Sequence, residues 1–159
     1  MIRAAPAVRD DAGVPRLLVV HHTPSPAPQA VLEAVKEGVA MVEGVELVLR
    51  PALSAGPADL LAADGVLLGT PANIGYMSGA LKHFFDTVYY PCLDATPGLP
   101  YGVYVHGNDD TAGALTAVER ITGALRWKRV AAPLSLTGAP SAADLEAVRE
   151  LAATVAVGL

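Results

Sequence analysis

Five short apolar runs alternate with five segments of helical periodicity along this chain, and that alternation limits its fold more than any other feature. The runs are Arg16–His21 (RLLVVH) and residues 45–50 (VELVLR), 64–70 (DGVLLGT), 101–106 (YGVYVH) and 129–136 (RVAAPLSL). Each is rich in Val, Leu or Tyr and bounded by Gly, Pro or polar residues, which is the pattern of a strand. The first and third are apolar almost throughout, as parallel strands buried on both faces are. Between the runs, residues 28–41 align Leu32, Val35 and Val39 on one helical face. Residues 78–89 align Leu81, Phe84 or Phe85, and Val88, and residues 111–126 repeat Leu115, Val118, Thr122 and Leu125. Residues 141–157 open on a capping box, Ser141 to Asp144, and repeat Leu145, Val148, Ala152 and Val155. The stretch 52–63 holds Gly56 and Pro57, so a short helix from Pro57 onward is expected there.

Alternating strands and helices predict an α/β fold: a three-layer, doubly wound, five-stranded parallel sheet with right-handed crossovers. Five strands fit the order 2-1-3-4-5, with a ligand crevice at the carboxyl ends of the first and third. No repeat, linker or low-complexity segment divides the chain. Residues 1–15 are expected to be a loose N-terminal arm, and residues 16–159 one domain. The arm has charged residues and no continuous apolar stretch, so it does not have the form of a secretion signal. With 159 residues, 52% hydrophobic and 17% charged, the chain can bury a core without staples. Its net charge of −5 and 11 dispersed Lys and Arg argue against a nucleic-acid surface. No apolar run is long enough to span a membrane. A single cysteine excludes an internal disulfide and fits a reducing, cytoplasmic location.

In such a fold the chemistry lies in loops at the strand carboxyl ends. The first loop, HHTPSPAPQ, leads from His21 to Gln29. The hydroxyls of Thr23 and Ser25, with the backbone N–H groups of Ser25, Ala27 and Gln29, can surround a phosphate at a helix N-terminus. The same residues can form a plain Pro-rich turn, with Pro28 at the first helical position. Neither GxGxxG nor GxxxxGK[ST] is present, so dinucleotide and nucleoside-triphosphate fingerprints are absent. The second loop is GTPANIGYMSGALK, Gly69 to Lys82, followed by Phe84-Phe85-Asp86. Pro71, Gly75 and Gly79 let backbone lie close to a flat ligand, and Ser78 is a natural N-cap. Tyr76 is either an aromatic wall of that pocket or a packing residue at the helix start. The third loop contains His106, Gly107 and Asn108, whose amide offers both a donor and an acceptor. Asp109, Asp110 and Thr111 read as helix-cap residues.

The second loop resembles the flavin loop of the flavodoxin-like superfamily, whose pattern is roughly G-[TS]-P-x-x-x-G-x-x-S-G-x-x-K-x-x-x-D. Gly69, Thr70, Pro71, Gly75, Ser78, Gly79, Lys82 and Asp86 all match. The resemblance covers nearly the whole chain from Arg16. It is nearer to the NAD(P)H-dependent FMN reductase and multimeric quinone reductase branch, including actinobacterial flavodoxin family proteins, than to the electron-carrier flavodoxins. It implies FMN, with the phosphate held by His22, Thr23, Ser25 and Gln29. The isoalloxazine would lie between Pro71, Ala72, Asn73, Ile74 and Gly75 on one side and His106, Gly107 and Asn108 on the other. The implied function is a flavoprotein oxidoreductase that passes electrons from NAD(P)H through FMN to a quinone or other small acceptor. No side chain need be an obligatory acid or base, although His106 is placed to donate a proton to a bound quinone. The branch also implies a homodimer or homotetramer.

The chain departs from that pattern in two places. Flavodoxin-like proteins usually carry Ser or Thr where Pro28 stands, and quinone reductases often carry Arg and an aromatic residue where Asn73 and Ile74 stand. Two other functions therefore compete: a flavodoxin-type electron carrier between partner proteins, and a flavin-free flavodoxin-like interaction domain. Low aromatic content (5%) weighs against the carrier, and the intact second loop weighs against the flavin-free domain. The four histidines complete no zinc motif, so no metal site is expected. Cys92 reads as a free, partly buried thiol, since a C-x5-R phosphatase loop would need Arg where Gly98 stands.

Overall fold

The computed structural model describes residues 13–159, so residues 1–12 of the expected N-terminal arm lie outside the described residues. The chain runs through β1 (Arg16–His21), α1 (Pro26–Ala40), β2 (Glu46–Pro51), α2 (Pro57–Leu61), β3 (Gly65–Asn73) and β4 (Tyr76–Met77). It continues through α3 (Gly79–Cys92), β5 (Pro100–Gly107), α4 (Ala112–Ala124), β6 (Lys128–Arg129), β7 (Leu134–Thr137) and α5 (Ala142–Val157). The sheet order is β2-β1-β3-β5-β6, with β7 also on β5, and every one of these pairings is parallel. With β6 and β7 as two halves of the fifth expected strand, this is the order 2-1-3-4-5. The strand expected over residues 129–136 divides because it takes two more residues than β5 between the pairs Tyr101–Arg129 and Tyr104–Leu134, so the chain bulges off the sheet edge around Pro133. Val130 still donates to the Tyr101 carbonyl at 3.0 Å before the chain leaves the sheet.

Three layers result. α1 and α5 cover one face of the sheet, where Val31, Leu32, Val35, Val148, Leu151 and Val155 pack on Leu17, Val19, Leu67 and Tyr104. α2, α3 and α4 cover the other, where Leu60, Leu81, Phe84, Phe85, Val88 and Val118 pack on Leu18, Val20, Val66, Leu68 and Val103. β1 and β3 are therefore buried on both sides, as their near-continuous apolar runs require. Each fully buried Leu or Phe contributes about 1.5–3 kcal/mol to holding the layers together.

The helix boundaries differ from the expected ones by one to three residues. α1 begins at Pro26 because Ser25 takes the extended N-cap conformation (φ −153°, ψ 171°). Pro26 thus holds the first helical position, and Pro28 lies buried two residues further in. α3 continues past Tyr89 to Cys92, with Pro91 in its last turn. There a missing N–H costs one ladder hydrogen bond and does not break the helix core. α4 starts at Ala112, where the Asp110 carboxylate accepts from the Ala112 N–H at 2.9 Å. The Ser141–Asp144 capping box at α5 forms as expected, with both reciprocal bonds at 2.9–3.0 Å.

Candidate functional site

Parallel pairing brings the carboxyl ends of β1, β3 and β5 side by side. His21 pairs with Gly69, Gly69 with Tyr104, and Pro71 with His106. The first, second and third loops therefore open on one edge of the sheet, at the position where such folds bind ligands. The first loop is tied to β3 by the His22 N–H, which donates to the Gly69 carbonyl at 3.0 Å.

In the first loop, Thr23 Oγ1 lies 2.8 Å from Nδ1 of the buried His21. Ser25 makes no side-chain cap bond to α1, so its hydroxyl is not spent on the helix. Among the described residues, nothing accepts from the Ala27 N–H, while Pro24, Pro26 and Pro28 have none to give. His22 Nδ1 is buried and without a hydrogen-bond partner among the described residues. Gln29 is placed differently from the sequence reading. Its N–H donates to the Ser25 carbonyl at 3.1 Å as the first helical bond, and its side chain bonds Glu33 on the exposed face.

The second loop is a β-hairpin, which the sequence reading did not anticipate. β3 extends to Asn73 and pairs antiparallel with β4, Ala72 with Met77 and Asn73 with Tyr76. Ile74 and Gly75 form the turn with φ of 51° and 71°, the arrangement of a two-residue type I′ hairpin. A β-branched residue at positive φ is strained, and Ile74 is also fully exposed. The base of the hairpin is rigid. Buried Thr70 donates its hydroxyl proton to the Pro71 carbonyl at 2.8 Å and accepts from the Ser78 N–H at 2.9 Å. Ser78 caps α3 by accepting from Leu81 N at 3.2 Å. The motif residues Lys82 and Asp86 pair with each other at 2.6 Å on the surface of α3, and that bond raises the Lys82 pKa.

In the third loop, Gly107 packs between Ala72 and Thr111, and Asn108 is exposed. His106 is buried, and its Nε2–H donates to the Gly138 carbonyl at 2.7 Å, while the Gly138 N–H returns to Gly107 O at 2.9 Å. That imidazole fastens β5 to the loop before α5, and its Nε2 proton is committed to the fold.

Two further residues, His21 and Tyr104, belong to this edge. Burial and neighbouring His22 push the His21 pKa down, so the ring is neutral near pH 7. Tyr104 lies across Gly69, in the space that any side chain at position 69 would fill. Burial raises the Tyr104 phenol. The pairing of a strand-end glycine with an aromatic residue on the next strand was the available signal, but it depends on a register that only the folded sheet reveals. Among the described residues, no three His, Cys, Asp or Glu side chains group to hold a metal ion. Among them, too, no helix is long and apolar enough to cross a membrane.

The sheet order, the layers and the three loops define a doubly wound α/β protein with the flavodoxin-like fold. The solved structures it resembles include a flavodoxin from the domain Archaea, with TM-score 0.77, 16% identity, and 90% and 97% of the two chains covered. They also include a flavodoxin, WrbA-like protein, from Agrobacterium tumefaciens, with TM-score 0.70, 21% identity, and 92% and 97% covered. In sequence the chain is similar to a flavodoxin of Aquifex aeolicus, 37% identical over 73 residues, which is 46% of this chain and 40% of that protein. It is also 29% identical to an NAD(P)H dehydrogenase (quinone) of Acidithiobacillus ferrooxidans over 45% of this chain and 46% of that protein. These matches span less than half the length of either curated relative. No protein-family model matches the chain.

Proposed function

We propose that residues 16–159 form an FMN-binding domain and that the chain is an oxidoreductase passing electrons from NAD(P)H to a quinone or another small acceptor. The observation that carries this reading is the hairpin tip. A strained, fully exposed Ile74 stands on a rigid base beside two other loops and a helix N-terminus. Strain of this kind persists only where the surrounding structure imposes it, and it clusters at ligand sites.

The groups present suit FMN. The Thr23 and Ser25 hydroxyls, the Ala27 N–H and the orphaned His22 Nδ1 form a donor set for the phosphate. Pro71, Ala72, Asn73, Ile74 and Gly75 would line one side of the ring, and Gly107 and Asn108 the other. Gln29 and His106 are left out, because their donors are already engaged. Each backbone donor removed by a proline costs about 1.5–3 kcal/mol of binding to a charged group, about tenfold to over a hundredfold in affinity. FMN is therefore expected to bind more weakly than in a loop with all its N–H groups. The flavin, when bound, supplies the hydride and electron chemistry. The chain's residues hold the phosphate, clamp the ring between two loops and keep water from one of its faces. We further propose a homodimer or homotetramer, in which exposed Tyr90 beside Tyr89 supplies apolar contact. Light scattering that returns a monomer mass at micromolar concentration would sink that part.

Absorption spectroscopy tests the main reading. Purified protein titrated with FMN is expected to give a perturbed oxidised-flavin spectrum that bleaches on anaerobic addition of NADPH or NADH. Bound flavin that neither nucleotide bleaches would favour the carrier reading, which the similarity to the Aquifex aeolicus flavodoxin supports. No spectral change with excess FMN would leave a flavin-free domain.

A further inference from the structure

We infer that His21 is a positioning residue for the phosphate: its Nδ1–H donates to Thr23 Oγ1 and so turns the Thr23 hydroxyl proton toward the ligand. The inference rests on the FMN reading above. His21 closes β1, is 9% exposed, and holds Nδ1 at 2.8 Å from Thr23 Oγ1. A threonine hydroxyl has one proton. If that proton goes to the ring, Thr23 can show the phosphate only lone pairs, and a phosphate dianion accepts but does not donate. If the ring donates instead, the Thr23 proton is released for a short, charge-assisted bond. A neutral imidazole carries one N–H, so its tautomer decides between the two cases. The lowered pKa of His21 keeps the ring in that neutral form near pH 7.

The composition of the loop makes this choice matter. Of the backbone between His22 and Pro28, three prolines offer no N–H, and the His22 N–H is spent on Gly69. The N–H groups of Thr23, Ser25 and Ala27 remain, so each side-chain hydroxyl carries a larger share of the phosphate binding. An acceptor-only Thr23 would turn one of these few contacts into a repulsion.

The test compares the dissociation constants of FMN and riboflavin, which differ by the phosphate alone, for wild type, His21→Leu, His21→Asn, Thr23→Val and the double variant His21→Leu/Thr23→Val. In wild type, FMN is expected to bind more tightly than riboflavin. His21→Leu should weaken FMN about tenfold and leave riboflavin unchanged. His21→Asn, whose amide N–H falls near the place of Nδ1, should restore most of the loss. In the Thr23→Val background, His21→Leu should cost nothing more. Equal losses for FMN and riboflavin, or a full His21→Leu effect on top of Thr23→Val, would overturn the inference. Should His21→Leu fail to fold, long-range 15N–1H spectra of the wild-type FMN complex report the tautomer directly. A proton on Nδ1 supports the inference and one on Nε2 overturns it. Wild-type protein that binds neither flavin marks the failure of the FMN reading itself.

Discussion

Gly113, in the first turn of α4, lies against the carbonyl oxygen of Gly75 at the hairpin turn, and no side chain fits between them. The third loop's helix therefore braces the tip of the second loop through backbone. Gly113→Ala forces α4 and the hairpin apart. The overlap costs about 1–3 kcal/mol, against roughly 1 kcal/mol gained from alanine's better helix propensity. Weaker FMN binding and a lower urea midpoint are expected. Unchanged flavin affinity in a folded Gly113→Ala variant would show that this brace does not hold the site.

Ile74 carries the opposite trade. Its φ of 51° costs a β-branched residue roughly 1–2 kcal/mol, whereas Asn tolerates that region, and Asn-Gly is a favoured type I′ pair. Ile74→Asn should raise stability by about 1 kcal/mol, read from urea denaturation. The same change removes the apolar surface at the tip, so riboflavin and FMN should both bind more weakly. A variant that gains stability and keeps its flavin affinity would show that Ile74 does not touch the ring.

Thr70 joins β3 to α3 through two buried bonds. Thr70→Val leaves the Ser78 N–H and the Pro71 carbonyl without that partner. A loss of about 1–3 kcal/mol per orphaned group is expected in thermal unfolding. Thr70→Ser retains the hydroxyl and should recover most of it. If Val and Ser behave alike, the hydroxyl is not what matters at this position.

The pH dependence of stability follows from His21. Its folded pKa lies below the ordinary value of 6.5, because burial and His22 disfavour the charged ring. Above 6.5 the ring is neutral in both states and adds no slope. Below 6.5 the unfolded chain takes up the proton first. Stability therefore falls as pH drops from 6.5 toward the folded pKa, and this contribution levels off beneath it. Urea midpoints measured between about pH 5 and 8 should show the decline, and His21→Asn should remove the part that His21 contributes. Equal slopes in the two proteins would rule His21 out as the source.

Much of this architecture was readable in advance because it is local. Apolar runs of strand length and faces of helical period give elements, and their alternation gives a parallel three-layer sheet whose loops gather at the strand carboxyl ends. The Ser141–Asp144 cap and the Ser78 N-cap were readable for the same reason, since each involves residues three apart. The matched second loop could be located from spacing alone, but not shaped. Ile-Gly is not a common type I′ pair, and nothing nearby announces that Ile74 turns to positive φ.

The remaining site features depend on partners distant in the chain. His106 closes the strand expected there, yet its proton goes to Gly138, 32 residues away, and not to a ligand pocket. Gly113 meets Gly75, and Tyr104 covers Gly69, because strand register and helix docking set those neighbours. The His21–Thr23 bond spans two residues, but it forms where β1 ends and the loop turns back. Side-chain periodicity encodes which residues are buried. Which donor meets which acceptor is decided only when the sheet closes, because hydrogen bonds depend on positions to a few tenths of an ångström and burial does not.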